Sequence, residues 1–123
     1  MDYLSKNIHW CLRLTLSLTF IIHGYPKRYN AGSEVYSQML CHALSETHEV
    51  QVFTREENIF EPDYRLRKEY DELNSKIPLN IINIPGERHK NRYNHVGVNQ
   101  AYSSLVLNFK PQIVHIGHLN HLS

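Results

Sequence analysis

The feature of this chain that most constrains its fold is the alternation of strand patterns with helix patterns. Alternating apolar residues over 12–22 predict a first strand, buried towards its carboxyl end, and the β-branched segment 50–54 predicts a second. Between them, Ser33 is the predicted N-cap of a helix, and Glu34 suits its first turn. The apolar stripe of this helix consists of Val35, Met39, Leu40, Ala43 and Leu44. Strand, helix and strand together predict a βαβ unit with parallel strands.

The second half of the chain repeats this alternation after a charged segment. Residues 55–77 fit either a solvated helix or one arm of a β-hairpin over 64–84. We favour the hairpin, with its turn near Asn74 and Ser75 and one face formed by Tyr64, Leu66 and Tyr70. Residues 78–85 predict a strand, the helical spacing over 98–109 predicts a helix that ends at 110–111, and 113–116 predict a buried strand. The sequence therefore predicts an α/β fold with a mainly parallel sheet flanked by helices.

Composition argues against three classes of protein: nucleic-acid binders, disulfide-rich proteins and proteins with a membrane span near the N-terminus. The 123 residues suffice for one domain or part of one. Lys and Arg total 13 and Asp and Glu total 12, so we expect no nucleic-acid partner, which would need a strongly basic face. Cys11 and Cys41 are too few for a disulfide scaffold, which favours reduced thiols and a cytoplasmic location. The apolar stretch over 10–22 is shorter than the ~20 residues of a membrane span, and we predict a strand there after an extension over 1–11.

The loop over 23–34 is the first candidate site. It leaves the predicted first strand and enters a helix N-terminus, where free backbone N–H groups bind anions. Gly32 allows a ligand to approach the backbone, and Lys27 and Arg28 could contact phosphate. The alternative is an ordinary βα loop with solvated cations. The loop has neither a dinucleotide-binding fingerprint nor a P-loop.

Histidines near residue 118 form the second candidate site. The spacing of His115, His118 and His121 suggests zinc, but His115 should face away from His118, so we expect no metal. Two alternatives remain: histidines without a function, or a ligand-facing histidine at the carboxyl end of the strand, for which His118 is the best candidate. Cys41 lies among core positions of the first helix and is more typical of a packed residue than of a nucleophile.

Four segments in order resemble the N-terminal half of a family 4 glycosyltransferase with the GT-B fold. Residues 21–26 are similar to the first strand and its turn, and 31–36 to the family's Gly-Gly-x-Glu loop. Residues 48–54 are similar to a second strand of the form HEVxVFT, and 110–119 to a segment of the form KPDIVHIHHL. The sequence departs from these motifs at Ala31, Gln112 and Gly117, which replace Gly, Asp and His.

The resemblance implies a partial Rossmann-like domain over 12–123 that forms the acceptor side of a nucleotide-sugar-dependent, retaining transferase of hexosyl groups. It implies a catalytic role for His118 and no cofactor. It also implies substrate contacts from His23, Arg28, Ala31, Gly32, Ser33 and Gly117. The partners would be a nucleotide-sugar donor, a glycosyl acceptor and a missing C-terminal donor-binding domain, without which we expect no activity; peripheral membrane association is a further expectation. A stand-alone α/β module that binds a phospho-ligand is the alternative.

Overall fold

Five strands in one sheet, with a helix on each face, form the fold of this chain. The computed structural model describes residues 15–27, 29–84 and 96–117, so the predicted extension over 1–11 lies outside the described residues. The elements are β1 (Ser17–Ile21), α1 (Gly32–Leu44), β2 (Glu49–Glu56), β3 (Leu66–Asp71), β4 (Asn74–Asn83), α2 (Val96–Phe109) and β5 (Ile113–Ile116). The strand order is β3-β4-β2-β1-β5. Strands β1, β2, β4 and β5 are parallel, and β3 is antiparallel to β4. The predicted α/β class is thus confirmed.

Alternate residues of the central strands are buried on opposite faces of the sheet. Phe20 belongs to the cluster under α1 together with Val52 and Cys41. Its neighbour Ile21 belongs to the cluster under α2 together with Phe53. Burial on both faces is typical of a mainly parallel sheet, and here it also encloses polar residues such as Gln51 and Asn80. Each large apolar side chain buried in this way stabilises the fold by about 1.5–3 kcal/mol.

Helix α1 begins earlier than predicted and buries a different face. Its N-cap is Ala31 rather than Ser33, since the N–H of Val35 already donates to the carbonyl of Ala31 at 3.0 Å. The predicted stripe is wrong for Val35, Met39 and Ala43, which are exposed, while Leu40 and Leu44 are half-buried. The fully buried positions of the helix are instead Glu34, Ser37 and Cys41. Polar partners beneath the helix, described below, select this face.

The hairpin prediction is confirmed, with its turn two residues earlier than expected. Strands β3 and β4 pair from Leu66 with Ile82 to Asp71 with Asn74. The turn lies at 72–73 because Asp71 initiates it: its Oδ1 accepts the N–H of Leu73 at 2.8 Å, as in an Asx turn. Asn74, which the sequence placed within the turn, is the first residue of β4.

Strand β5 lies where predicted, but the prediction that it is buried is wrong. All four of its residues are exposed; Ile113 is 48% and Ile116 54% accessible. The cause is its position at the edge of the sheet, where it pairs with β1 and neither described helix covers it. Neither α1 nor α2 has the length and apolar content that a membrane-spanning helix needs.

Candidate functional site

The N-terminus of α1 lies where the parallel strands end, and its backbone is open to solvent. Ala31, Gly32 and Ser33 are all exposed. A Cβ on Gly32 would have nothing within 4 Å, so a ligand can approach this glycine unhindered. In open α/β sheets, ligands bind outside the carboxyl ends of the strands. This loop therefore has the position and the accessibility that ligand binding requires.

Gly117 follows β5 and lies on the same side of the sheet, at the carboxyl ends of the parallel strands. Its N–H donates to the carbonyl of Ile21 at 2.8 Å, which continues the ladder between β1 and β5. A Cβ on Gly117 would lie 2.7 Å from Ile22 Cδ1 and 3.5 Å from Ser37 Oγ of α1. The structure thus brings Gly117 against the end of β1 and against the helix whose N-terminus carries Gly32.

A histidine–glutamate pair lies next to these two loops. His23 Nε2 donates to Glu34 Oε1 at 3.0 Å, and Ser33 Oγ donates to Glu34 Oε2 at 3.0 Å. The Glu34 side chain is only 4% accessible, and its charge is favourable at the positive end of α1. Because this carboxylate already occupies the first turn, a free phosphate would meet like charge there. A neutral hydroxyl group suits the site better than an isolated anion does.

Four other residues of the predicted sites are placed differently or fall outside the described residues. His118, the predicted catalytic residue, and Arg28 lie outside the described residues. Lys27 is exposed, with its Nζ 4.0 Å from Glu72 Oε2. His115, an alternative zinc ligand, packs its ring against Phe20 at a centroid distance of 4.8 Å. Over 15–27, 29–84 and 96–117, no cluster of three or more side chains could hold a metal ion.

A second polar cluster, centred on Asp71, connects the hairpin to α1. Asp71 Oδ2 accepts hydrogen bonds from Tyr25 Oη at 2.7 Å, His42 Nε2 at 2.8 Å and Gln38 Nε2 at 3.3 Å. Burial by itself would raise the pKa of Asp71, but the hydrogen bonds from Tyr25, His42, Leu73 and Gln38 together hold this pKa below its ordinary value. The Asp71 side chain is fully inaccessible, so we assign this cluster a structural role.

The same buried environment keeps two neighbours of Asp71, Tyr25 and Cys41, protonated. Burial, followed by the hydrogen bond to Asp71, raises the pKa of Tyr25. Burial, followed by the charge of Asp71, raises the pKa of the Cys41 thiol to about 12. A thiol of this kind is inert at neutral pH, because the thiolate is the reactive form. The expectation that Cys41 is packed is confirmed.

Sequence reasoning missed the role of Glu34, which it treated only as a charge in the first turn of a helix. The single signal was its motif position, two residues after Gly32 and eleven after His23. Comparison of the chain with protein-family models, curated proteins and solved structures found no match in any of the three.

Proposed function

We propose that residues 12–123 are part of the acceptor-side domain of a nucleotide-sugar-dependent glycosyltransferase that transfers hexosyl groups. The observation that supports this best is the position of two loops on the same side of the sheet, at the carboxyl ends of β1 and β5. Gly117 lies against the end of β1, and the first turn of α1, which contains Gly32, is joined to the residues after β1 by the pair of His23 and Glu34. This is the place where a Rossmann-like sheet binds its ligand.

The polar groups at this edge suit a substrate with hydroxyl groups. The carboxylate of Glu34 is held by His23 and by Ser33, which leaves the imidazole in a fixed orientation beside the loop. Carboxylate and imidazole groups can accept from and donate to an alcohol. The exposed backbone N–H groups of 32–33 would donate to hydroxyl groups of the sugar. His118, whose position lies outside the described residues, remains the proposed catalytic histidine.

The exposure of β5 supports a partner domain. This strand has the apolar, uncharged composition of an interior strand, yet its side chains are accessible on both faces. A further α/β segment that adds a strand at β5 and covers both faces would bury them. We infer that the donor-binding domain acts together with such a segment, and that this chain by itself does not transfer sugar.

The rival function, a module that binds a phospho-ligand, is less compatible with the site. Such a module would bind phosphate at the N-terminus of α1, where the buried carboxylate of Glu34 would repel it. A transferase tolerates this carboxylate better, because its acceptor is a neutral alcohol. The two functions therefore differ in whether inorganic phosphate alone binds at 32–34.

The test is a titration of the isotope-labelled chain with UDP-glucose and with GDP-mannose, followed by amide NMR. We expect the largest chemical-shift changes at Gly32, Ser33 and Gly117, and no such changes with inorganic phosphate. Gly32→Leu should abolish them while the chain stays folded, because the space around Gly32 is open. Ser104→Ala, at an exposed position of α2, is the matched control and should bind as the wild type does.

Two results would contradict the proposal. Equal shifts with inorganic phosphate would favour the phospho-ligand module. Shifts that avoid the edge formed by Gly32 and Gly117 would remove the proposed site. In a separate assay, turnover of a nucleotide-sugar by the purified chain alone would show that the inference of an inactive partial domain is wrong.

A further inference from the structure

A cavity of about 310 Å³ lies on the flank of the sheet, away from β5. It separates the β1–α1 loop from the β3–β4 hairpin. Its apolar lining includes Leu79 and Ile81, and its polar lining includes Lys27, Thr54, Arg55 and Glu69. The volume is at the lower end of the range for small-molecule sites, which fits a compact ligand and not a whole nucleotide-sugar.

Two buried polar atoms in the lining residues have unused hydrogen-bonding capacity. Thr54 Oγ1 and Arg55 Nε are inaccessible and have no hydrogen-bond partner in the described ranges. The two residues are 2% and 8% accessible. Buried polar groups in folded proteins are nearly always hydrogen-bonded, so two unbonded atoms in adjacent residues of β2 require an explanation. A polar ligand within reach, after a small side-chain adjustment, would supply the missing partners.

The charged groups around the cavity are already paired with one another. Arg55 Nη1 donates to Glu57 Oε1 at 2.5 Å, and Lys27 lies 4.0 Å from Glu72. Glu69 forms an ion pair with Arg67. Among the residues that the structure describes, the cavity therefore has no surplus charge with which to hold an ion. An anion would meet Glu69 and Glu72, and a cation would meet Arg55 and Lys27, so the chemistry favours a neutral ligand.

We propose that the flank cavity binds a neutral polyhydroxyl compound of monosaccharide size. A sugar ring offers an apolar face to Leu79 and Ile81 and hydroxyl groups that both donate and accept towards Thr54 and Arg55. The lining also includes Tyr25, Tyr29 and Tyr70, whose rings are apolar and whose hydroxyl groups are polar. That this sugar is the glycosyl acceptor rests on the proposed function; the binding itself does not.

The experiment is amide NMR of the full 123-residue chain with methyl α-glucoside and methyl α-mannoside, and separately with inorganic phosphate and with glycine. We expect the glycosides, and not the two ionic probes, to shift the amides of Thr54, Leu79 and Ile81. Thr54→Val should weaken glycoside binding about two- to tenfold, which corresponds to the loss of one hydrogen bond. Since Thr54 Oγ1 has no partner in the described ranges, this variant should fold at least as stably as the wild type.

Thr47→Val, at an exposed position after α1, is the matched control and should bind glycosides normally. The proposal is overturned if phosphate or glycine shifts these amides instead, if the glycosides shift none of them, or if Thr54→Val binds as tightly as Thr47→Val. Each of these results leaves the proposed function to its own test, because the nucleotide-sugar titration is read at Gly32, Ser33 and Gly117.

Discussion

Replacement of Asp71 by asparagine tests whether the polar cluster beneath α1 holds the hairpin to the helix. The carboxylate accepts four hydrogen bonds, three of them at Oδ2, and its side chain is fully inaccessible. Removal of one partner from a buried charged pair costs about 3–5 kcal/mol. Asparagine keeps the shape and one acceptor, so we expect Asp71→Asn to lower the free energy of unfolding by about 2–4 kcal/mol.

Urea unfolding followed by circular dichroism measures this loss. With a slope of about 1–3 kcal/mol per molar urea, the midpoint should fall by roughly 1–3 M. Glu46→Gln, which removes the same charge from an exposed position of the chain, should change the stability by less than about 0.5 kcal/mol. A change for Asp71→Asn as small as that of the control would refute a structural role for the cluster.

The pH dependence of the same variant has a definite sign. Because the pKa of Asp71 is lower in the folded protein than in the unfolded chain, its carboxylate stabilises the fold above the unfolded value of about 3.9. This contribution disappears as the pH falls through the lower, folded pKa. The stability difference between wild type and Asp71→Asn should therefore be full at neutral pH and smaller in acid. A difference that grows on acidification would contradict the direction of the shift.

Three further outcomes follow from buried groups and from the open edge. In a Cys11→Ser background, the Cys41 thiol, with its pKa raised to about 12, should react with a thiol reagent only as fast as the chain unfolds; rapid reaction of the native chain would count against this. Gly97→Ala should lower the urea midpoint by an amount equivalent to about 1–3 kcal/mol, because its Cβ would overlap the ring of Tyr64; Ser104→Ala serves as control. Calorimetry should give a melting temperature below about 65 °C, since β5 leaves apolar surface uncovered, and a reversible melt of the monomer well above that value would contradict this expectation.

The fold class could be predicted from the sequence because strand and helix periods differ. The apolar run of β4 and the helical spacing of α2 indicated one structure each, whereas the alternating residues near Leu66 and Tyr70 favoured the hairpin over a solvated helix without deciding between them. The buried face of α1 could not be predicted in this way. It is selected by contacts between distant residues, such as His42 with Asp71 and His23 with Glu34, which hydrophobic spacing does not encode.

The location of the candidate site in the sheet could be predicted from the sequence, but the negative charge of Glu34 within it could not. The rule that ligands bind at the carboxyl ends of parallel strands placed Gly32 and Gly117 at one edge, where the structure also has them. The exposure of β5 was not predicted. The apolar composition of a strand indicates that its side chains are suited to burial, but it does not show whether a neighbouring element covers them. The buried carboxylate of Glu34 disfavours free phosphate at this site. Its burial and its ion pair with His23 could not be predicted, because no local sequence pattern indicates that these two residues are in contact.

The two edge strands of the sheet, β3 and β5, differ in charge, and this difference limits how copies of the chain could associate edge to edge. Strand β3 presents Arg67, Lys68 and Glu69 along its rim, whereas β5 has no charged residue. Two copies that paired through their β5 edges would form a symmetric dimer, in which the charged β3 strand of each copy would be the outermost strand. An assembly of copies that formed through β5 would therefore end at a pair.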